Sequence, residues 1–200
     1  GKRSAGLKKS VDKGITWTNI HSDYSVDVAV VNKDGTDYVY GYLEWKGLIV
    51  SFDGGANFTH KVGSSSFVLY GAIPHYARGS IAFSKSTPSR GYLLVSNAAG
   101  QLYGIWKTSD YGANWTKTIS QDNDTTKTDS WLLSDSADVF DHNGNGKNCS
   151  GGTINLNTLR SQGVYDQYIT VDPADADVVW VGGIELFRSD SAAASGSFNK

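Results

Sequence analysis

The sequence predicts an all-β protein that forms part of a β-propeller with four-stranded blades. Three observations lead to this prediction. Strand-like stretches follow one another with no convincing amphipathic helix between them, and a short polar turn recurs along the chain. The composition is that of a turn-rich β protein, with 23 Gly, 11 Tyr and 6 Trp in 200 residues. We therefore expect about three to four blades, as part of a larger propeller.

The recurring turn has the form Ser/Thr-x-Asp-x-Gly-x-x-aromatic, and we call its copies the repeat turns. Short side-chain oxygens accept hydrogen bonds from nearby backbone N–H groups, glycine adopts the positive φ, and the aromatic ring anchors the next strand. We expect these residues to be structural. A fourth copy at Ser189-Asp190 is decayed, because Gly196 and Phe198 follow at a different spacing. The complete copies contain Ser10, Asp12, Gly14 and Trp17; Ser51, Asp53, Gly55 and Phe58; and Thr108, Asp110, Gly112 and Trp115.

Three strand-like stretches precede each repeat turn from the second onwards, so each turn should join the third and fourth strands of a blade. The first stretch of each set covers residues 26–31, 80–84 and 167–171. An unclosed stack of blades predicts the remainder of the propeller, or further copies of the chain, as a partner. The predicted divisions are the end of a blade at 1–25, blades at 26–65 and 66–118, a long polar insertion at 119–163, and most of a further blade at 164–200.

Charge and cysteine content exclude several functional classes. The net charge is −2 with both signs scattered, which gives no electrostatic basis for binding nucleic acid. No run of 18 apolar residues occurs, so we expect no membrane insertion. Cys149 is the only cysteine, which rules out a disulfide or a cysteine-based zinc site within the chain.

The repeat turn resembles the Asp-box, also called the BNR repeat, of sialidases, two-propeller xyloglucanases, the sortilin family and many secreted bacterial proteins. Residues 161–190, SQGVYDQYITVDPADADVVWVGGIELFRSD, resemble the start of a blade in large secreted bacterial BNR proteins. The resemblance implies a propeller fold, a secreted or cell-surface location in a bacterium, and a carbohydrate partner. It also implies that the repeat turns lie at the blade periphery. The Phe-Arg-Ile-Pro signature of sialidases and the Cys-rich segment of sortilins are absent, so no family's catalytic residues carry over.

Candidate site residues lie where the first strand of a blade begins. Glycoside hydrolysis requires two carboxylates facing each other, about 5 to 10 Å apart. Asp166, before the stretch 167–171, and Asp27, before the stretch 28–31, are the candidate catalytic pair. The alternative for each is an acid that bonds to the backbone of its own turn. Aromatic platforms and planar donors suit sugar binding, and the candidates are His75, Tyr76, Arg78, Trp45 and Tyr165.

One stretch of the polar insertion has the oxygen spacing of a calcium loop. Asp141, Asn143 and Asn145, followed by Gly146, match the first half of an EF-hand loop. Position 12 of that loop is Gly152, so the usual bidentate glutamate is missing. The sequence leaves two alternatives open, a site for Ca²⁺ and a Gly/Asn-rich turn.

Two functions from different classes fit this sequence. One is a carbohydrate-engaging binding or scaffold module without catalysis. The other is a glycoside hydrolase of the xyloglucanase or sialidase kind that uses paired carboxylates on the propeller face. We favour the binding module because no catalytic signature of a known family is present, and because fold alone does not specify activity.

Overall fold

The structure is a computed structural model that describes residues 6–63, 77–120, 132–133 and 161–199, and the backbone at 69–70 and 73–74. All regular secondary structure in this part of the chain is β. The strands are β1 (Leu7–Lys9), β2 (Thr18–His21), β3 (Ser25–Lys33), β4 (Thr36–Leu43), β5 (Gly47–Ser51), β6 (Thr59–Gly63), β7 (Leu69–Tyr70), β8 (Ile73–Pro74), β9 (Arg78–Phe83), β10 (Gly91–Ser96), β11 (Leu102–Thr108), β12 (Thr116–Ser120), β13 (Tyr168–Val171), β14 (Val179–Gly182) and β15 (Leu186–Ser189).

Neighbouring strands in each sheet are consecutive in the chain and antiparallel. The first blade has the order β3-β4-β5-β6, and the second blade has the order β9-β10-β11-β12. The third blade has the order β13-β14-β15, and Asn199 adds an antiparallel bridge to Arg188 where a fourth strand would begin. Strands β1 and β2 form a two-stranded sheet that we call the opening ribbon, and β7 pairs with β8. These four-stranded sheets confirm the predicted all-β class.

The blades stack face to face, and two apolar clusters lie between them. Tyr40 and Tyr42 of the first blade pack with Leu93 of the second blade, and all three side chains are fully buried. Tyr92 of the second blade packs with Val181 of the third in the same way. Alternate residues of every strand therefore point to opposite faces, one towards the preceding blade and one towards the following blade.

Polar contacts close the outer margin of each junction between blades. The Tyr40 hydroxyl donates a hydrogen bond to the Tyr111 carbonyl of the next blade at 2.7 Å. The Tyr92 hydroxyl donates to the Ala176 carbonyl at 2.8 Å in the same sense. Burial raises the pKa of both phenols, so they stay neutral donors at ordinary pH.

The opening ribbon covers part of the first blade. Leu7 packs on Leu43 and Ile49 in a small separate cluster. Gly41 permits this close approach, since a Cβ there would lie 2.6 Å from Leu7 Cδ1. The ribbon therefore lies over β4 and β5.

The three complete repeat turns share one hydrogen-bond pattern, illustrated by the second copy. The Ser51 hydroxyl accepts from the Gly55 N–H at 2.8 Å and donates to the Asp53 carboxylate at 2.6 Å. The same carboxylate accepts from the Asn57 N–H at 2.9 Å. Gly54 and Gly55 both adopt positive φ, at 73° and 92°. This geometry locks the connection between the third and fourth strands of the blade.

The fourth copy keeps the turn but not its chemistry. The frame that begins at Ser189 places Ser191, not Asp190, at the aspartate position, and the Ser191 N–H donates to the Ser189 hydroxyl at 3.2 Å. Ala192 and Ala193 occupy the left-handed positions, with φ of 56° and 55°. Ala193 and Phe198 are fully buried, so packing stabilises a conformation that alanine disfavours. The decayed copy predicted at Ser189-Asp190 therefore has a serine, and not Asp190, at the aspartate position.

Candidate functional site

The inner strands β3, β9 and β13 begin at one end of the sheets, beside the turns that join the second and third strands of each blade. We call this end the mouth face. The Trp45 N–H donates to the Ala77 carbonyl at 3.4 Å, which joins the first blade to the start of the second. The Ser96 hydroxyl donates to the Gly163 carbonyl at 3.0 Å, which joins the second blade to the approach of the third.

Asp27 links the first two inner strands. One carboxylate oxygen accepts from the Ile81 N–H of β9 at 2.7 Å, and the other accepts from the Val28 N–H at 2.8 Å. Burial raises the pKa of Asp27, and this effect outweighs the opposing effects of the two amides and of the Arg78 charge. Both oxygens of this candidate catalytic acid are therefore engaged by the backbone.

Trp45 has an unusual backbone conformation at the mouth face. Its φ is 65°, in the left-handed region that bulky residues rarely adopt, and the side chain is half-buried. The neighbouring Lys46 forms an ion pair with Asp23 at 2.9 Å. Because such outliers concentrate at binding and active sites, Trp45 is a strong candidate for ligand contact.

Arg78 begins the inner strand of the second blade, next to Ala77. It is half-buried, and its Nε is buried without a hydrogen-bond partner. Its charge acts on Asp27 across the junction between the first two blades. The structure therefore brings Asp27, Trp45 and Arg78 into one neighbourhood.

Asp166 and Tyr165 lie in the turn that precedes β13. The N–H groups of both residues donate to the Gln162 carbonyl, at 2.8 Å for Asp166 and 3.0 Å for Tyr165. The Tyr165 side chain is 65% exposed. Asp166 is also exposed, so the environments of the two candidate carboxylates differ. Asp166 and Tyr165 belong to the third blade's side of the mouth face.

Gln167 is a residue that the sequence did not single out. Its side chain is only 7% exposed, and neither its amide oxygen nor its amide nitrogen has a hydrogen-bond partner. Its backbone carbonyl accepts from the Ser80 hydroxyl at 3.3 Å, so it lies where β9 meets β13. Buried polar groups are normally paired, which makes Gln167 an anomaly at the mouth face. No sequence signal distinguishes it from the other residues that start a strand.

Other predicted site residues fall outside the described part of the chain. These are His75, Tyr76, Asp141, Asn143 and Asn145. Within the described ranges, no group of three His, Cys, Asp or Glu residues could hold a metal ion. In the same ranges no helix is long and apolar enough to cross a membrane.

The acids of the repeat turns accept hydrogen bonds from groups of their own turns. Hydrogen bonds from the Thr16 and Ser10 groups lower the pKa of Asp12 to about 2, and bonds from Ser51 and Asn57 lower that of Asp53 to about 2. For Asp110, burial acts to raise the pKa, but bonds from Asn114 and Thr108 outweigh it and the net shift is downwards. These carboxylates stay ionised and bound to their own turns.

Comparison with known proteins identifies the fold. No protein-family model matches the sequence, and no curated protein matches it. The structure resembles that of an ancestral GH74 enzyme, with a TM-score of 0.57 and 13% identity over 98% of this chain and 21% of that chain. A GH74 enzyme from Niastella koreensis has a TM-score of 0.38 and 18% identity, over 96% of this chain and 34% of that chain.

A third similar structure is the GH74 xyloglucanase from Xanthomonas campestris, with a TM-score of 0.34 and 15% identity, over 96% of this chain and 34% of that chain. The chain thus spans 21% of the length of the ancestral enzyme and 34% of the length of the other two. GH74 enzymes have β-propeller folds. The likeness to the ancestral enzyme, together with the stacked four-stranded sheets, shows that this chain has a β-propeller fold.

Proposed function

We propose that the chain is a carbohydrate-engaging β-propeller module of the BNR (Asp-box) type, which binds its ligand at the mouth face without catalysis. The fold likeness to a GH74 enzyme supports a carbohydrate as the ligand class. The hydrogen-bond pattern of the repeat turns supports the BNR assignment. A propeller presents its ligand surface where the inner strands begin, and the aromatic and charged groups described above lie there.

The observation that carries this proposal is the placement of Trp45. Trp45, held at φ 65°, donates its backbone N–H to the Ala77 carbonyl, next to Arg78, whose Nε is unpartnered. Exposed Tyr165 adds a second aromatic group on the third blade's side. Flat aromatic rings and planar donors recognise the faces and hydroxyls of sugars.

The geometry at Asp27 favours binding over catalysis. A general acid must be free to transfer its proton to the substrate, whereas both Asp27 oxygens accept backbone hydrogen bonds. The alternative function is a glycoside hydrolase that uses Asp27 and Asp166. Its specific support is the raised pKa of Asp27, which is a property of glycosidase acids.

Calorimetric titration with a panel of oligosaccharides, xyloglucan-derived and sialylated, tests the proposal. We expect one class to bind, and the Trp45→Ala variant to bind about tenfold more weakly, as loss of one stacking platform implies. The Trp115→Ala variant is the matched control, because Trp115 lies on the repeat turn of the second blade, where its indole donates to the Gly112 carbonyl at 3.1 Å. Equal losses in the two variants, or no binding across the panel, would contradict the proposal.

The same panel separates binding from hydrolysis. A binding module releases no reducing ends from any polysaccharide that it binds. Release of reducing ends that stops in both the Asp27→Asn and the Asp166→Asn variants would instead establish the hydrolase alternative.

Two further proposals rest on the sequence alone. We propose that the protein acts outside a bacterial cell, as a secreted or surface protein, which fractionation of the source cells would test. We also propose that Asp141, Asn143 and Asn145 bind Ca²⁺. Calcium titration of the chain and of its Asp141→Asn variant tests this, with loss of a heat signal expected in the variant.

A further inference from the structure

The inner strand of the first blade exposes residues that the other two blades bury. Val28 and Val30 of β3 are 54% and 58% exposed. The corresponding residue of β9 is Ile81, which is 8% exposed, and that of β13 is Ile169, which is 2% exposed. Each of these two isoleucines faces the blade before it, as members of the two apolar clusters. The exposed face of β3 is therefore the face that a preceding blade covers elsewhere in this molecule.

The opening ribbon takes the place of only the third and fourth strands of such a preceding blade. It lies on Leu43 and Ile49 of β4 and β5, not on β3. A groove of about 550 Å³ remains between β1 and β3, and its lining includes Leu7, Lys8 and Val28. On the β3 side of the groove Val26 and Val28 alternate with Ser25 and Asp27, and the edge of β1 forms one wall.

Strand β1 presents a free edge to this groove. It pairs with β2 on one side, and no strand in the described part of the chain pairs with its other side. Unpaired strand edges accept additional strands through backbone hydrogen bonds, with side-chain pockets providing specificity. In the second and third blades, the place beside the third strand is filled by the inner strand and the second strand of the same sheet.

We propose that the groove between β1 and β3 is an acceptor site for an antiparallel β-ribbon. The outer strand of the ribbon pairs with the free edge of β1, and its apolar face covers Val28 and Val30. The fitting partner is a ribbon with the alternation of this protein's own inner and second strands. An intact second copy does not fit, because its β14 already pairs with β15 on the side that β1 would need.

Residues 166–183 provide a probe with the required chemistry. They contain β13 and β14, which form such a ribbon in the third blade. Tyr168 and Trp180 lie on the face that a following blade would cover. Tyr168 is 59% exposed in this chain, and Trp180 is half-buried. The same face of the first blade supplies Tyr40 and Tyr42 to the junction with the second blade.

The experiment measures binding of a fluorescein-labelled peptide of residues 166–183 to the chain by anisotropy. We expect saturable binding, weakened by about tenfold or more in the Val28→Lys/Val30→Lys double variant, because both valines would be buried by the ribbon. Val11→Lys is the control, since Val11 is 88% exposed on a repeat turn and does not line the groove. Circular dichroism verifies that the variants fold.

A second form of the experiment removes the entropic cost of association. The same peptide is fused ahead of residue 6 through a flexible Gly/Ser linker, which supplies an effective concentration of about 1 mM. We expect a higher Tm and slower amide exchange in β1 and β3 than in the unfused chain. Absence of an effect in both forms would overturn the proposal, and so would binding that the double variant leaves unchanged. Self-association of the unfused chain that the double variant abolishes would assign the groove to a second copy instead.

Discussion

The carboxylate of Asp110 shows how a single residue fixes a strand connection. It accepts from the backbone N–H and the side-chain amide of Asn114, at 2.9 and 2.7 Å, and from the Thr108 hydroxyl at 2.8 Å. Such local bonds can be predicted from sequence, because they join residues that are close in the chain. The Asp-x-Gly frame is sufficient to find them.

Asp110→Ala should destabilise the protein by about 1 kcal/mol, as other side-chain oxygens that cap backbone N–H groups do. Asp190→Ala is the matched control. Asp190 contacts Arg188 and the Ser191 hydroxyl on the surface rather than holding a turn, so its loss should cost about 0.5 kcal/mol or less. Urea denaturation of both variants tests this prediction. Equal destabilisation would mean that the aspartate of the repeat turn contributes nothing specific.

The side chain of Gln167 should cost the molecule stability in the absence of a ligand. Replacement of an unpaired buried amide by an apolar group of similar size removes a desolvation penalty of about 1–3 kcal/mol. Gln167→Leu should therefore raise the Tm of the free protein. Gln101→Leu serves as the comparison, because the Gln101 side chain accepts from Asn97 at 3.2 Å and its loss should lower the Tm. A lower Tm in Gln167→Leu would show that the Gln167 amide is satisfied.

At the scale of elements, the inner strands are held together by contacts between blades as well as by the sheets. Asp27 bonds to the Ile81 N–H across the first junction, and Ser80 bonds to the Gln167 carbonyl across the second. The strands themselves follow from their apolar stretches; the stretch predicted at 26–31 lies within β3, and 80–84 overlaps β9. The bonds between strands could not be predicted, because they depend on how two separate sheets stack.

The pH dependence of the first junction follows from the raised pKa of Asp27. Folding disfavours its ionised form, so Asp27 reduces stability most above its folded pKa, and this penalty is lost as the pH falls from the folded pKa to the lower unfolded pKa. Asp27→Asn cannot ionise. The stability of the variant relative to the natural protein should therefore increase from pH 4 to pH 7.

Urea denaturation at several pH values measures this difference. Asp53→Asn is the control with the opposite sign. Hydrogen bonds lower the pKa of Asp53 to about 2. Its carboxylate therefore stabilises the fold above the unfolded pKa, and this effect is lost as the pH falls towards about 2. A stability difference for Asp27→Asn that decreases with rising pH would contradict the burial of this carboxylate.

At the scale of the whole molecule, the repeat predicted the architecture better than it predicted the site. Three spaced copies of one turn were enough to give four-stranded blades, because each blade repeats the same local rules. The left-handed conformation of Trp45 and the buried amide of Gln167 arise only where blades meet, and no periodicity encodes them. The exposure of Val28 and Val30 on β3 could not be predicted either, because their counterparts Ile81 and Ile169 have the same apolar character and are buried.

Carbohydrate binding at the mouth face can be tested by ¹H–¹⁵N NMR of the chain during titration with a xyloglucan oligosaccharide, which follows the tryptophan indole and arginine Nε–H signals. We predict saturable shifts of the Trp45 indole and of the Arg78 Nε–H signals. The Trp115 indole, which donates to the Gly112 carbonyl at 3.1 Å, should not shift. Saturable shifts of other signals that leave Trp45 and Arg78 unchanged would place the ligand elsewhere and contradict carbohydrate binding at the mouth face.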